Sequence, residues 1–232
     1  SDGRILTVTS SFLVDSGAYT PVGAGIAGNS IAHMLGPYDI PNYETDCKIV
    51  LTNRSPNAPY RGAGRPDVGF EMDRAVDLVA NELELDPAEV RFRNMIQPEN
   101  MPYDVGLTYR DGVPMVYDSG DYRRTLHMAA EAVDYPAHRS ALRRPREDGC
   151  LTGIGLSSFV ERTGYASARF LAGRGARFGA HESVTLRANR SGSIDLYTGV
   201  STFGQGNETA FAQICAHVLG VDYEMIHIHA GD

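Results

Sequence analysis

The stretch from Pro66 to Leu83 constrains the fold most. Val68, Met72, Ala75, Val79 and Leu83 recur at steps of three and four, which is the spacing of one apolar helix face, and Pro66 suits a first helical turn. Such a face has to be buried, so the chain needs a packed core beside it. Directly before it stands "PYRGAGR", Pro59 to Arg65, with two arginines around three small residues. Gly62 and Gly64 permit positive φ and leave no side chain to fend off a ligand, while Arg61 and Arg65 supply donors and the helix start adds backbone N–H groups. The loop is therefore expected to hold an anion. An ordinary turn with two solvated arginines is the alternative for this stretch alone.

Around that helix the pattern changes repeatedly. Arg4 to Asp15 alternates and reads as a strand ending near Gly17, Ile26 to Leu35 as a small apolar helix stopped by Gly36 and Pro37, and Tyr43 to Asn53 as a second strand. Asp86 caps a further helix with Pro87 at its first position and Glu89 in its first turn. Residues 97 to 120 read as loop-rich, and Asp121 to Val133 as helical. "PAHRSALRRPREDG" carries Arg139, Arg143, Arg144 and Arg146 but ends in Glu147 and Asp148, so a solvated linker is preferred to a nucleic-acid patch. Beyond it lie a strand reaching Glu161, a Gly- and Arg-rich loop around Gly173, and two strands around a Ser191-Gly192 turn. A helix follows with Phe211, Ile214, Cys215 and Val218 on its apolar face, closed by Gly220, and then a strand from Met225 to Ala230. Strands and helices occur in both halves without regular alternation, which predicts an α+β fold. The expected lobes are 1–135 and 151–232, joined by a linker at 136–150.

Composition removes several function classes. Lys plus Arg number 21 against 29 for Asp plus Glu, a net charge of −8, which disfavours nucleic acid and acidic membranes as partners. No apolar run approaches the roughly 18 residues of a membrane span. Cys47, Cys150 and Cys215 form no C-x-x-C pair, so reduced thiols in a cytoplasmic protein are expected, with no iron–sulfur cluster in this chain.

Weaker motifs fall away in turn. "GAGIAG", Gly23 to Gly28, matches a dinucleotide fingerprint, but Tyr19 to Val22 separate it from its strand and Asp46 opens the next strand; small-residue helix packing is preferred. His227 and His229 share a strand face without a third ligand, His181-Glu182 lacks a second histidine, and "GLSSF" has Phe159 where a nucleophile elbow needs glycine. "FGQGNET" survives: Gly204 and Gly206 bracket Gln205, whose amide both donates and accepts.

"TNRSPNAPYRGAGRPDVGFEMDRAVDLVANELELDPAEVRFRNM" followed by "GVSTFGQGNETAFAQICAHVLGV" resembles the molybdenum-binding large subunit of the xanthine dehydrogenase, aldehyde oxidase and carbon monoxide dehydrogenase family, with "YRGAGR" similar to form II carbon monoxide dehydrogenase-like chains. The resemblance runs over nearly the whole chain. It implies a molybdenum–pterin dithiolene cofactor in the cytosine dinucleotide form, hydroxylation with water as oxygen source, and partner subunits carrying FAD and [2Fe-2S] clusters in a dimer of heterotrimers. It places Arg61, Gly62 and Ala63 beside the molybdenum, Phe203, Gly204, Gln205 and Gly206 on the cofactor, and Phe159 and Glu161 in the substrate-pocket wall. Relatives that oxidise carbon monoxide carry a copper-binding cysteine where this chain has Gly62, and purine oxidisers a phenylalanine at Ala63. An aldehyde or N-heterocycle is therefore the implied substrate. The base glutamate is expected beyond the last residue and an upstream Gly-rich cofactor segment before Ser1, so these 232 residues alone are expected to be inactive. A non-catalytic scaffold keeping the fold, or a nucleotide-binding oxidoreductase using Gly23 to Gly28, are the competing expectations.

Overall fold

In the computed structural model the described residues are 2–19, 23–109, 112–142, 149, 151–161 and 183–231. The expectations for Arg143 to Asp148, Cys150, the loop around Gly173 and His181-Glu182 lie outside them. The chain forms two compact units, 1–163 and 164–232.

In the first unit β1 (Thr7–Asp15) and β2 (Asn42–Val50) pair in parallel from Thr7 opposite Asn42 to Asp15 opposite Val50, and α1 (Gly23–His33) connects them. Gly23, Gly25 and Gly28 therefore lie within a helix and not in the strand-to-helix turn that a pyrophosphate would need, which removes the dinucleotide reading. The amphipathic stretch becomes α2 (Arg65–Glu82), and α3 (Pro87–Asn94) follows with the Asp86 carboxylate accepting from the Ala88 N–H. The buried face of α2 is Val68, Met72, Val76 and Ala80, while Ala75 and Val79 are exposed. Two steps of four beyond Met72 keep the stripe on the core, whereas the predicted face drifts off it. This face packs with Met34, Leu35, Tyr38, Val90, Met95 and Leu126.

Residues 97 to 120, expected as loop, contain a hairpin of β3 (Tyr103–Thr108) and β4 (Pro114–Tyr117) whose register slips between Asp104 and Thr108. The slip is why alternation fails there. Asp121 caps α4 (Tyr122–Ala132), donated to by the Arg124 N–H. The predicted linker begins instead with a helix, α5 (Tyr135–Leu142). Its Tyr135 hydroxyl and Arg139 both reach Asp86, so this basic residue is a packing partner.

A buried polar hub holds the next segment. Arg91 is wholly buried and contacts Asp73 at 3.0 Å, Asp77 at 2.8 Å and the Leu156 carbonyl at 2.9 Å. Asp73 also accepts from the Tyr38 hydroxyl, the Ser157 hydroxyl and the Ser158 N–H. Residues 151–161 are thereby tied to the hub at Leu156 to Ser158, without helix or strand among them.

The second unit is a three-stranded sheet in the order β5 (Val184–Ala188), β6 (Ile194–Thr198), β7 (Ile226–Ala230), antiparallel then parallel, with α6 (Asn207–Leu219) as the crossover. Ala212, Cys215 and Ala216 bury against Ile194, Leu196 and Ile226. Ile214 and Val218, expected inside, are 61% and 73% exposed. Small residues bring the helix close to the sheet, and the two branched ones flank that contact.

Candidate functional site

The segment after β2 is fastened to the end of β1 before it reaches the arginine loop. Ser16, Ala18 and Thr52 exchange backbone bonds with Val50, Arg54 and Gly17, and Asn57 N–H donates to the Ser16 carbonyl. Gly17 has φ +67°, and a Cβ there would meet the Ser55 carbonyl oxygen at 2.1 Å. The two backbones approach as closely as only glycine allows.

The loop itself turns through three consecutive left-handed residues, Gly62 at φ +97°, Ala63 at +48° and Gly64 at +92°. For alanine this is unusual, and such outliers persist only where the surroundings over-determine them. Here α1 does so: the Asn29 amide donates to the Ala63 carbonyl at 3.0 Å, and the Ser30 hydroxyl lies 3.0 Å from the Gly64 carbonyl. Asn29 is held in turn by the Tyr109 hydroxyl, which donates to its Oδ1 at 2.5 Å. The carbonyls of the loop thus face the protein, and Arg61 stands on an exposed residue.

Arg65 does not join Arg61 as a surface cation. It is 8% exposed, and its guanidinium donates to the Gly62 carbonyl, to His33 Nε2 at 3.2 Å and to Glu161 Oε1 at 2.9 Å, with the Tyr109 hydroxyl at 3.5 Å. Arginine can only donate, so His33 accepts at Nε2 and carries its proton on Nδ1, which donates to the Asn29 carbonyl at 2.9 Å. The paired-arginine expectation is corrected: Arg61 is an exposed residue, whereas the buried Arg65 ties the loop to the segment bearing Phe159 and Glu161.

Glu161 stands between two clefts, of about 540 and 570 Å³, and Phe159, 68% exposed, lines both. Burial pushes the Glu161 carboxyl above its ordinary value, and the Arg65 charge pulls it down without cancelling this. Asn29, Ser30, His33, Tyr109 and the Asp73–Arg91 hub escaped the sequence reading. The available signal was Asn29, Ser30 and His33, polar residues on one side of a helix otherwise built of small apolar ones.

In the second unit Phe203 to Gly206 form an exposed bend ahead of α6. Gly204 and Gly206 have φ +96° and +76°, and a Cβ on either would meet nothing within 4 Å. The Phe203 N–H donates at 2.7 Å to the Gln205 side chain, which must therefore present its oxygen there and leave its amide N–H groups as donors to the outside. Gly206 caps α6 without a side chain, so the helix start also offers N–H groups. Bare backbone and outward donors suit a bulky, oxygen-rich anion. His227 and His229 are not part of this bend: His229 stacks on Tyr197 and meets Asp195 at 3.1 Å, and no group of three metal-ligating side chains occurs among the described residues.

A family model described as a molybdopterin cofactor-binding domain matches residues 1–95, and a second of the same description matches residues 128–232. The chain belongs to the molybdopterin cofactor-binding family. Its relatives are much longer proteins. The carbon monoxide dehydrogenase large chain of Hydrogenophaga pseudoflava is 35% identical over 100% of this chain and 29% of its own length. The nicotine 6-hydroxylase large subunit of Paenarthrobacter nicotinovorans is 32% identical over 100% of this chain and 28% of its own length. Quinoline 2-oxidoreductase from Pseudomonas putida 86 superposes with a TM-score of 0.76 at 33% identity, covering 99% of this chain and 29% of that one. The chain thus spans less than a third of these relatives. No helix among the described residues is long and apolar enough to cross a membrane.

Proposed function

We propose that the chain forms part of the large catalytic subunit of a molybdenum hydroxylase, oxidising an aldehyde or N-heterocycle with oxygen drawn from water. When bound, the molybdenum–pterin group supplies the two-electron redox chemistry and the activation of water. Arg61 supplies positive charge beside it. The left-handed Gly62-Ala63-Gly64 turn lets backbone approach closely, and Phe203, Gly204, Gln205 and Gly206 hold the pterin side through the Gln205 amide and the start of α6. Phe159 and Glu161 form part of the substrate wall, with Glu161 oriented by Arg65. The dinucleotide form of the cofactor is the cytosine one, the electrons leave through [2Fe-2S] and FAD partner subunits in a cytoplasmic dimer of heterotrimers, and the rest of the large subunit supplies the base.

The left-handed turn clamped by Asn29 and Ser30 supports this reading best, because it keeps a strained, side-chain-poor loop in one shape. Elemental analysis of the protein purified with its partner subunits tests it. Near-stoichiometric molybdenum is expected, falling severalfold in Gln205→Ala and Gly206→Val variants that still fold. Absence of molybdenum from the purified complex refutes the reading and leaves a scaffold.

A further inference from the structure

The 540 Å³ cleft beside Glu161 has an unusual wall. Tyr109, Tyr117, Tyr122 and Phe159 supply aromatic surface, Asp118 and Glu161 supply carboxylates, and no lysine or arginine lines it among the described residues. The Tyr109 and Tyr117 hydroxyls are committed inward, to Asn29 Oδ1 and to the Gly36 carbonyl. What these tyrosines add to the cleft is therefore ring. Tyr117 and Tyr122 meet edge to face, 6.2 Å apart at 89°. His33, also in the lining, accepts from Arg65 and so presents a neutral imidazole.

Arg65 neutralises only part of this charge. It lines the neighbouring 570 Å³ cleft and engages Glu161 through Oε1; among the described residues Oε2 has no hydrogen-bond partner. Asp118 is exposed at the mouth. Among the described residues, two carboxylates stand against one guanidinium, a balance that is electronegative, and aromatic rings add the negative faces of their quadrupoles. An anion would be repelled there, and a neutral ring would gain stacking but no charge complement.

We propose that this cleft binds an organic cation, an alkylated or protonated amine nitrogen seated among the rings of Phe159 and Tyr122 and balanced by Asp118 and Glu161. The inference deepens the assignment of Phe159 and Glu161 to the substrate wall and rests on it only for turnover; binding itself needs no cofactor.

The test is calorimetric titration of the full 232-residue chain, at low ionic strength, with choline and with 3,3-dimethylbutan-1-ol, its uncharged carbon isostere. Choline is expected to bind at least roughly tenfold more tightly. Asp118→Asn, at an exposed position that leaves the fold intact by circular dichroism, should weaken choline severalfold and leave the alcohol unmoved. Equal affinities, no choline binding at tens of millimolar, or an Asp118→Asn chain that binds choline as before would each overturn the proposal. A chain that binds choline while the purified complex lacks molybdenum would refute the proposed activity and leave the cation site standing.

Discussion

Replacing Gly64 by alanine measures how firmly α1 seats the arginine loop. Gly64 sits at φ +92°, where an L side chain costs about 1–2 kcal/mol on conformational grounds. Its new Cβ would also lie 2.6 Å from Ser30 Oγ, 2.8 Å from the Ile26 carbonyl oxygen and 2.9 Å from Ile26 Cγ2. The carbonyl is helix backbone and cannot turn aside, so relief requires the loop to lift off α1, an overpacking cost of about 1–3 kcal/mol. Together these give about 2–5 kcal/mol. Gly206→Ala is the internal control: φ is +76°, but nothing lies within 4 Å, so only the conformational part of about 1–2 kcal/mol remains. Urea unfolding of both variants, followed by probes in each unit, should give the larger loss for Gly64→Ala, and Ser30→Ala in the same chain should recover some of it. A Gly64→Ala chain no less stable than Gly206→Ala would refute the seating argument.

Arg91→Met should cost about 3–5 kcal/mol by thermal or urea unfolding, because it strands Asp73 and Asp77 beside buried backbone. Arg65→Lys should keep the fold but raise amide hydrogen exchange in both the 62–65 loop and residues 157–161, since one ammonium cannot serve Gly62, His33 and Glu161 together. The Gly17 N–H, then the Thr52 hydroxyl, hold the Asp15 carboxyl below its ordinary value. That contribution is complete above the unfolded value near ~3.9 and is lost as pH falls through the folded one. Asp15→Asn should therefore flatten the acid side of a melting-temperature profile below about pH 4.

Local signals carried well into the structure. Proline at the start of α2, the Asp86 cap with Pro87 and the glycine ending α6 all act within one turn of themselves, and each was readable. The bare backbone at both bends was readable for the same reason. Which face of α2 or α6 goes inward was not, because Val79 and Val218 are apolar but stand beside a core filled by smaller or better-placed neighbours. Arg65 shows the same limit in the site. Arg61 and Arg65 are chemically identical in the sequence, and His33, Tyr109 and Glu161, brought from 32, 44 and 96 positions away, help make one of them a strut. Helix α5 and the β3–β4 hairpin were hidden by basic residues and by a register slip.

The left-handed triplet also sets which positions of this loop are open to divergence. A side chain at 62 would strike the Pro66 ring at 2.5 Å, and one at 64 would strike α1. Position 63 already carries a Cβ in the same conformation, and asparagine, aspartate or histidine could take its place with little added strain. Change at 62 would have to arrive together with the loss of Pro66. Descendants of this sequence can thus acquire a new loop side chain in one step at 63, while acquiring one at 62 takes two linked steps.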